Sequence, residues 1–82
     1  MYRVETYREA RDQIAALPDD ALAGYAEALG VLKLIPWNGE PINKRNPTGP
    51  VRTLPFGAAG MVTYLILEDQ HRVDVITVVW AG

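Results

Sequence analysis

The stretch "MVTYLILEDQHRVDVITVVW", residues 61–80, constrains this chain more than any other. "MVTYLIL" and "VDVITVVW" are rich in β-branched and aromatic residues, and the polar "EDQHR" between them has the length of a hairpin connection. Strict alternation along the last strand puts Val75, Thr77 and Val79 on one face and Ile76, Val78 and Trp80 on the other. Both faces are apolar. A single covering layer therefore leaves one face to be shielded by a loop or a partner.

The preceding residues supply the layer. "MYRVETY" alternates Tyr2, Val4 and Thr6 with Arg3 and Glu5, the pattern of an edge strand. Thr6 and Glu9 have the spacing of a capping box, and Tyr7, Ala10, Ile14 and Leu17 then recur at helical spacing up to Pro18. A second helix starts at an N-cap on Asp19 or Asp20 and carries Leu22, Tyr25, Leu29 and Leu32 at steps of three and four before Pro36 stops it. Helices this close in sequence form a hairpin with their apolar stripes on the same side. "VRTLPF", residues 51–56, reads as a short strand whose Pro55 suits a sheet edge. The predicted fold is α+β in the order β-α-α-β-β-β, a helical hairpin on one face of a largely antiparallel four-stranded sheet.

At 82 residues the chain is expected to be one domain spanning residues 1–82, with the apolar and charged content of a soluble globular protein. It has no cysteine, which excludes disulfides and thiolate metal sites and suits a reducing cytosol. The start alternates charges where a signal peptide needs an apolar core, and no apolar run reaches membrane-spanning length, so a cytoplasmic location and no membrane contact are expected. Net charge is −2, but its distribution is uneven. Residues 1–30 carry three basic side chains against six acids, residues 31–52 four against Glu40 alone, and residues 53–82 Arg72 against three acids.

The positive segment includes "PWNGEPINKRNPTGPVR", residues 36–52, with four prolines. Structureless connections of this length are uncommon, and the prolines lower the entropy that ordering would cost. The loop is expected to lie along the sheet, anchored by Trp37, and to present Lys44 and Arg45 beside Arg52.

This element order, with "LKLIPWNGEP" closing the second helix, "VRTL" opening a strand and the tail "RTLPFGAAGMVTYLILEDQHRVDVITVVWAG", resembles the RelE/ParE superfamily of toxins from type II toxin–antitoxin systems, in a compact actinobacterial RelE-like form. The resemblance implies a cognate antitoxin as partner and one of two targets. RelE-like members cleave mRNA on the ribosome without a metal or cofactor, whereas ParE-like members inhibit DNA gyrase. A third implication is a non-toxic module that keeps the fold to bind an antitoxin-like protein. The family's glycine-led strand usually carries an arginine where this chain has Met61, and its further basic or tyrosine residues lie past the last strand, where this sequence has Ala81 and Gly82. A weakened or non-standard catalytic site is the expectation.

Metal-free RNA cleavage needs a base, a stabiliser of phosphate charge and an acid. Arg52, Lys44, Arg45 and Tyr64 are the candidate catalytic residues, and Lys44, Arg45 and Arg52 the candidate contacts to RNA and ribosome. Lys44 and Arg45 also read as solvated loop residues, and Tyr64 as a core ring with its hydroxyl at the rim. His71, the only histidine, sits in the polar turn and reads as a turn residue rather than a base. Trp37 and Trp80 read as covers of the core rather than base-stacking platforms. The paired acids Asp19–Asp20 and Glu68–Asp69 lack partners for a metal. Met61, Thr63 and Trp80 are assigned to the antitoxin-binding face opposite the helices.

Overall fold

Alternating burial organises the sheet. In the computed structural model, which covers residues 1–82, β4 (Gly60–Leu67) buries Gly60, Val62, Tyr64 and Ile66 and leaves Met61, Thr63, Leu65 and Leu67 on the other face. It pairs antiparallel with β5 (Arg72–Trp80) and with β3 (Val51–Phe56). β1 (Arg3–Thr6) runs parallel to β5, with Arg3 opposite Arg72, and β2 (Glu40–Pro41) adds two residues beside β3. The order across the sheet is β1-β5-β4-β3-β2. The fold is α+β as expected, with a fifth strand that two residues of the proline-rich loop contribute. β2 covers only Arg52 and Thr53, so Pro55 lies where the outer edge of β3 is open.

The expected alternation along β5 does not persist. Tyr64 is opposite Val75 and Thr63 opposite Thr77, leaving Ile76 as an extra residue in a β-bulge. The bulge shifts the phase of everything after it. Val73 and Val75 before it, and Val78 and Trp80 after it, all share the helix-covered face; Asp74, Thr77 and Val79 share the open one. Trp80 therefore lies opposite to where strict alternation puts it.

α1 (Arg8–Ala15) and α2 (Asp19–Leu34) cover the first of these faces. Neither start matches its sequence reading. Tyr7 and Pro18 occupy the N-cap positions without side-chain caps, so the Thr6–Glu9 box does not form, and Asp19 and Asp20 sit in the first turn, where they favour the positive end of the helix dipole. The buried stripe of α2 is Ala21, Tyr25, Ala28 and Leu32, rotated from the predicted one so that Leu22 is 43% exposed. Alanines at the contact let the helix approach the sheet closely. The core joins Tyr25, Ala28 and Leu32 to Ala10, Phe56, Val62, Tyr64, Ile66, Val73, Val75 and Val78. Tyr25 meets Phe56 edge-on at 5.5 Å, and Phe56 stacks on Trp80 at 6.1 Å. No helix is long and apolar enough to cross a membrane.

Candidate functional site

Arg52 is the second residue of β3 and sits opposite Tyr64, on the helix-covered side of the sheet. There the loop folds around it. Its Nε donates to Gly49 O (3.2 Å), Nη1 to Gly39 O (2.9 Å) and Trp37 O (3.3 Å), and Nη2 to Pro47 O (2.6 Å). The guanidinium carbon stands 4.9 Å from the centre of the Trp37 ring, and the residue is only 8% exposed. Prolines lack N–H donors and cannot tie this loop through their own backbone, so a buried cation gathers its carbonyls instead. Lys44 and Arg45 are exposed and in no ion pair. The structure thus separates the three expected cations, because the donors of Arg52 are spent inside the loop while the other two face water.

Tyr64 is fully buried and donates its hydroxyl to Pro36 O at 2.6 Å. Burial raises its pKa, and the hydroxyl does not reach the rim that the sequence reading gave it. It also explains Gly39, where a side chain would collide with that hydroxyl. Trp37 Nε1 and the Tyr2 hydroxyl both donate to Glu68 Oε1, at 2.6 and 2.7 Å, and Tyr2 stacks on His71 at 3.9 Å. Chiefly the Trp37 hydrogen bond, then that of Tyr2, holds the Glu68 carboxyl below its usual range, and the Glu68 hydrogen bond raises the Tyr2 phenol. His71 closes the turn at φ 50°, in the left-handed region. It lies beside Glu68 (4.0 Å) as a turn residue.

The open face carries Arg3 and Glu5 from β1, Arg72, Asp74, Thr77 and Val79 from β5, and the four outward residues of β4. Val51, Thr53 and Pro55 of β3 and Glu40 of β2 complete it. Met61 and Val79 are directly opposite each other and 41% and 53% exposed. Charge is confined to the margins, and both arginines are paired with acids, leaving Glu40 alone on β2. Arg3 bonds Glu5 at 3.2 Å, and Arg72 reaches the buried Asp74 at 2.8 and 3.2 Å, with the Tyr7 hydroxyl donating to the same carboxylate. The Asp74 hydrogen bond raises the Arg72 pKa further. Two arginines against three acids leave this face with no surplus of positive charge for phosphate. Of the three residues assigned to it from the sequence, Met61 and Thr63 are there. Trp80 is not, because of the bulge. No three His, Asp or Glu side chains converge to form a metal-ligand set.

No protein-family model matches the sequence, and no curated protein does. Solved structures do. A chain of the intact Escherichia coli RelBE toxin–antitoxin complex superposes with a TM-score of 0.78 at 16% identity, over 100% of this chain and 99% of that one. The isolated E. coli RelE toxin gives 0.82 at 13%, over 100% and 86%. The RelBE2 toxin–antitoxin complex of Mycobacterium tuberculosis gives 0.80 at 23%, over 98% and 91%. The chain has the RelE toxin fold. On this RelE fold the sequence reading located the loop and the open face but missed the marginal pairs Arg72–Asp74 and Arg3–Glu5 and the Glu68 cluster. The i, i+2 spacing of Arg3–Glu5 and Arg72–Asp74 on strands was a readable signal. The Glu68 cluster joins residues 2, 37 and 68 and had none.

Proposed function

We propose that this chain is the toxin component of a type II toxin–antitoxin pair and that a segment of its antitoxin lies on the open sheet face. The observation that carries the reading is a RelE fold over the whole chain combined with an exposed apolar pair, Met61 and Val79, on the open face. Apolar surface of this kind on a small domain marks an interface. Neighbours of this fold are known in complex with their antitoxin, including a RelE variant bound to a RelB peptide. Binding is tested by titrating the isotope-labelled chain with the product of the adjacent reading frame. Shifts at Met61, Thr63 and Val79 are the expected result, and an unmoved open face rejects the assignment.

The finer reading is a ribosome-dependent mRNA endoribonuclease in which the 2′-hydroxyl attacks the adjacent phosphate without a metal. Lys44 and Arg45 are the exposed cations it can use, while Arg52 and Tyr64 act behind them by holding the loop. With Met61 in place of a phosphate-binding arginine, this activity is weak: one missing preorganised donor costs about 10²–10³ in rate. The paired charges of the open face favour a second reading, a ParE-like inhibitor of DNA gyrase that works by binding alone. Inducible expression separates the two. The nuclease arrests translation and cuts ribosome-bound mRNA, whereas the gyrase inhibitor leaves mRNA intact and relaxes supercoiled DNA in the cell.

A further inference from the structure

The open face carries one polar row that the apolar pair leaves unused. Glu40 of β2 is opposite Thr53 of β3, Thr53 is opposite Thr63 of β4, and Thr63 is opposite Thr77 of β5. A carboxylate and three hydroxyl side chains therefore run in line across four strands. Strands stand about 4.8 Å apart, and side chains on one face recur about every 6.6 Å along a strand, so the row lies between two others. Pro55, Met61 and Val79 form the row on one side, and Val51, Leu65 and Asp74 the row on the other. All three threonines are half-buried. Thr77 Oγ1 donates to Gln13 Oε1 at 3.1 Å, whereas the hydroxyls of Thr53 and Thr63 bond to no other group of the chain. Glu40 is exposed and forms no ion pair, unlike the other charged side chains of this face.

We propose that the antitoxin segment on this face is a helix that crosses the strands along the row, setting a Lys or Arg against Glu40 and, one turn away, an Asn or Gln across Thr53 and Thr63. This rests on the toxin reading above and adds to it the chemistry of the partner. Two hydroxyls one strand spacing apart can hold both ends of a single carboxamide, one accepting from its NH₂ and the other donating to its C=O. A carboxylate in that place would be repelled by Glu40 at the end of the same row. An apolar side chain there would bury both hydroxyls without partners, at the full desolvation cost of each. A helical turn advances about 5.4 Å, close to the strand spacing, whereas an extended chain repeats a side about every 6.6 Å and runs out of step with the row. Apolar residues flanking the amide reach Met61 and Val79. The apolar pair supplies contact area, and the polar row discriminates between partners.

The test titrates the full chain with the product of the adjacent reading frame by calorimetry, while NMR reports where it binds. Thr63→Val keeps the β-branched shape and removes the hydroxyl, so affinity is expected to fall about tenfold as the partner's amide loses its match, with the spectrum of the free chain otherwise in place. Thr63→Ser retains the hydroxyl and is expected to recover most of that loss, and Thr53→Val repeats the check on the neighbouring strand. Glu40→Gln is expected to weaken binding about threefold at low salt and to remove most of the salt dependence. The partner segment whose signals shift is expected to carry a Lys or Arg three or four residues from an Asn or Gln. If the open face shifts but both valine variants bind as tightly as wild type or tighter, the row is ordinary apolar packing, and the proposal falls while the toxin reading stands. A contact segment that is acidic or lacks an amide overturns it in the same way. An open face that does not shift at all rejects both readings together.

Discussion

Replacing Arg52 by methionine keeps most of the side-chain stem and removes the charge that gathers the loop. The wild-type guanidinium makes four hydrogen bonds to carbonyls, of which those to Pro47 O (2.6 Å) and Gly39 O (2.9 Å) are short. Bonds from a charged donor contribute about 1.5–3 kcal/mol each, and leaving buried acceptors unmatched adds a desolvation cost. The two short bonds alone set a loss of about 3–6 kcal/mol if the loop stayed closed. It does not have to stay closed. The segment can open and let water reach its carbonyls, which caps the global effect at the energy that ordering the loop contributes. We expect Arg52→Met to lose about 3 kcal/mol, roughly 12–24 °C in Tm for a domain of this size. Arg52→Lys retains the charge but a single ammonium cannot span carbonyls of residues 37 to 49, so it recovers less than half. Urea and thermal denaturation followed by circular dichroism measure the loss, and amide exchange at Asn46 and Gly49 reports the opening. A loss below about 1 kcal/mol with exchange at both amides unchanged would refute the role given to Arg52.

Two tyrosines should respond with opposite sign to loss of the hydroxyl. Tyr64→Phe strands the Pro36 carbonyl and should cost about 1–2 kcal/mol, whereas Tyr25→Phe removes a buried hydroxyl that has no partner and should be neutral or stabilising by about 1 kcal/mol; denaturation in urea compares them. Glu68 titrates below its usual range when folded, so its contribution is complete above the unfolded carboxylate pKa and is lost as pH falls through the folded one. Glu68→Gln should flatten that acid limb of a stability-versus-pH curve, and an unchanged slope counts against the cluster. Met61→Arg needs no new backbone geometry on β4 and places an exposed cation on the open face, so under the nuclease reading it should raise ribosome-dependent mRNA cleavage by about tenfold or more in a primer-extension assay.

Most of the architecture was legible because it depends on period and punctuation. The runs of β-branched residues gave β4 and β5, and prolines 18 and 36 bounded α2. What escaped depended on one residue or on distant partners. Period two is blind to an inserted residue, so Ile76 carried Trp80 to the opposite face. Composition counts Arg52 as a loop cation, and nothing local shows that four carbonyls from residues 37 to 49 converge on it. The stripe of α2 was misjudged because size was taken as a guide to burial, while close approach to the sheet selected Ala21 and Ala28 over Leu22.

The parallel pairing of β1 with β5 joins Arg3 to Arg72 and Thr6 to Val75, so the first strand made is completed by the last. During synthesis, at about 5–20 residues per second, β1 leaves the ribosome seconds before its partner exists. Helices can form meanwhile, but β5 stands between β1 and β4, and without it the sheet is two unconnected pieces. A nascent chain of this design therefore has no complete open face until β5 has emerged. The slow closure of such distant contacts makes that interval longer still. On the proposed reading, an antitoxin meets a finished open face only from that moment.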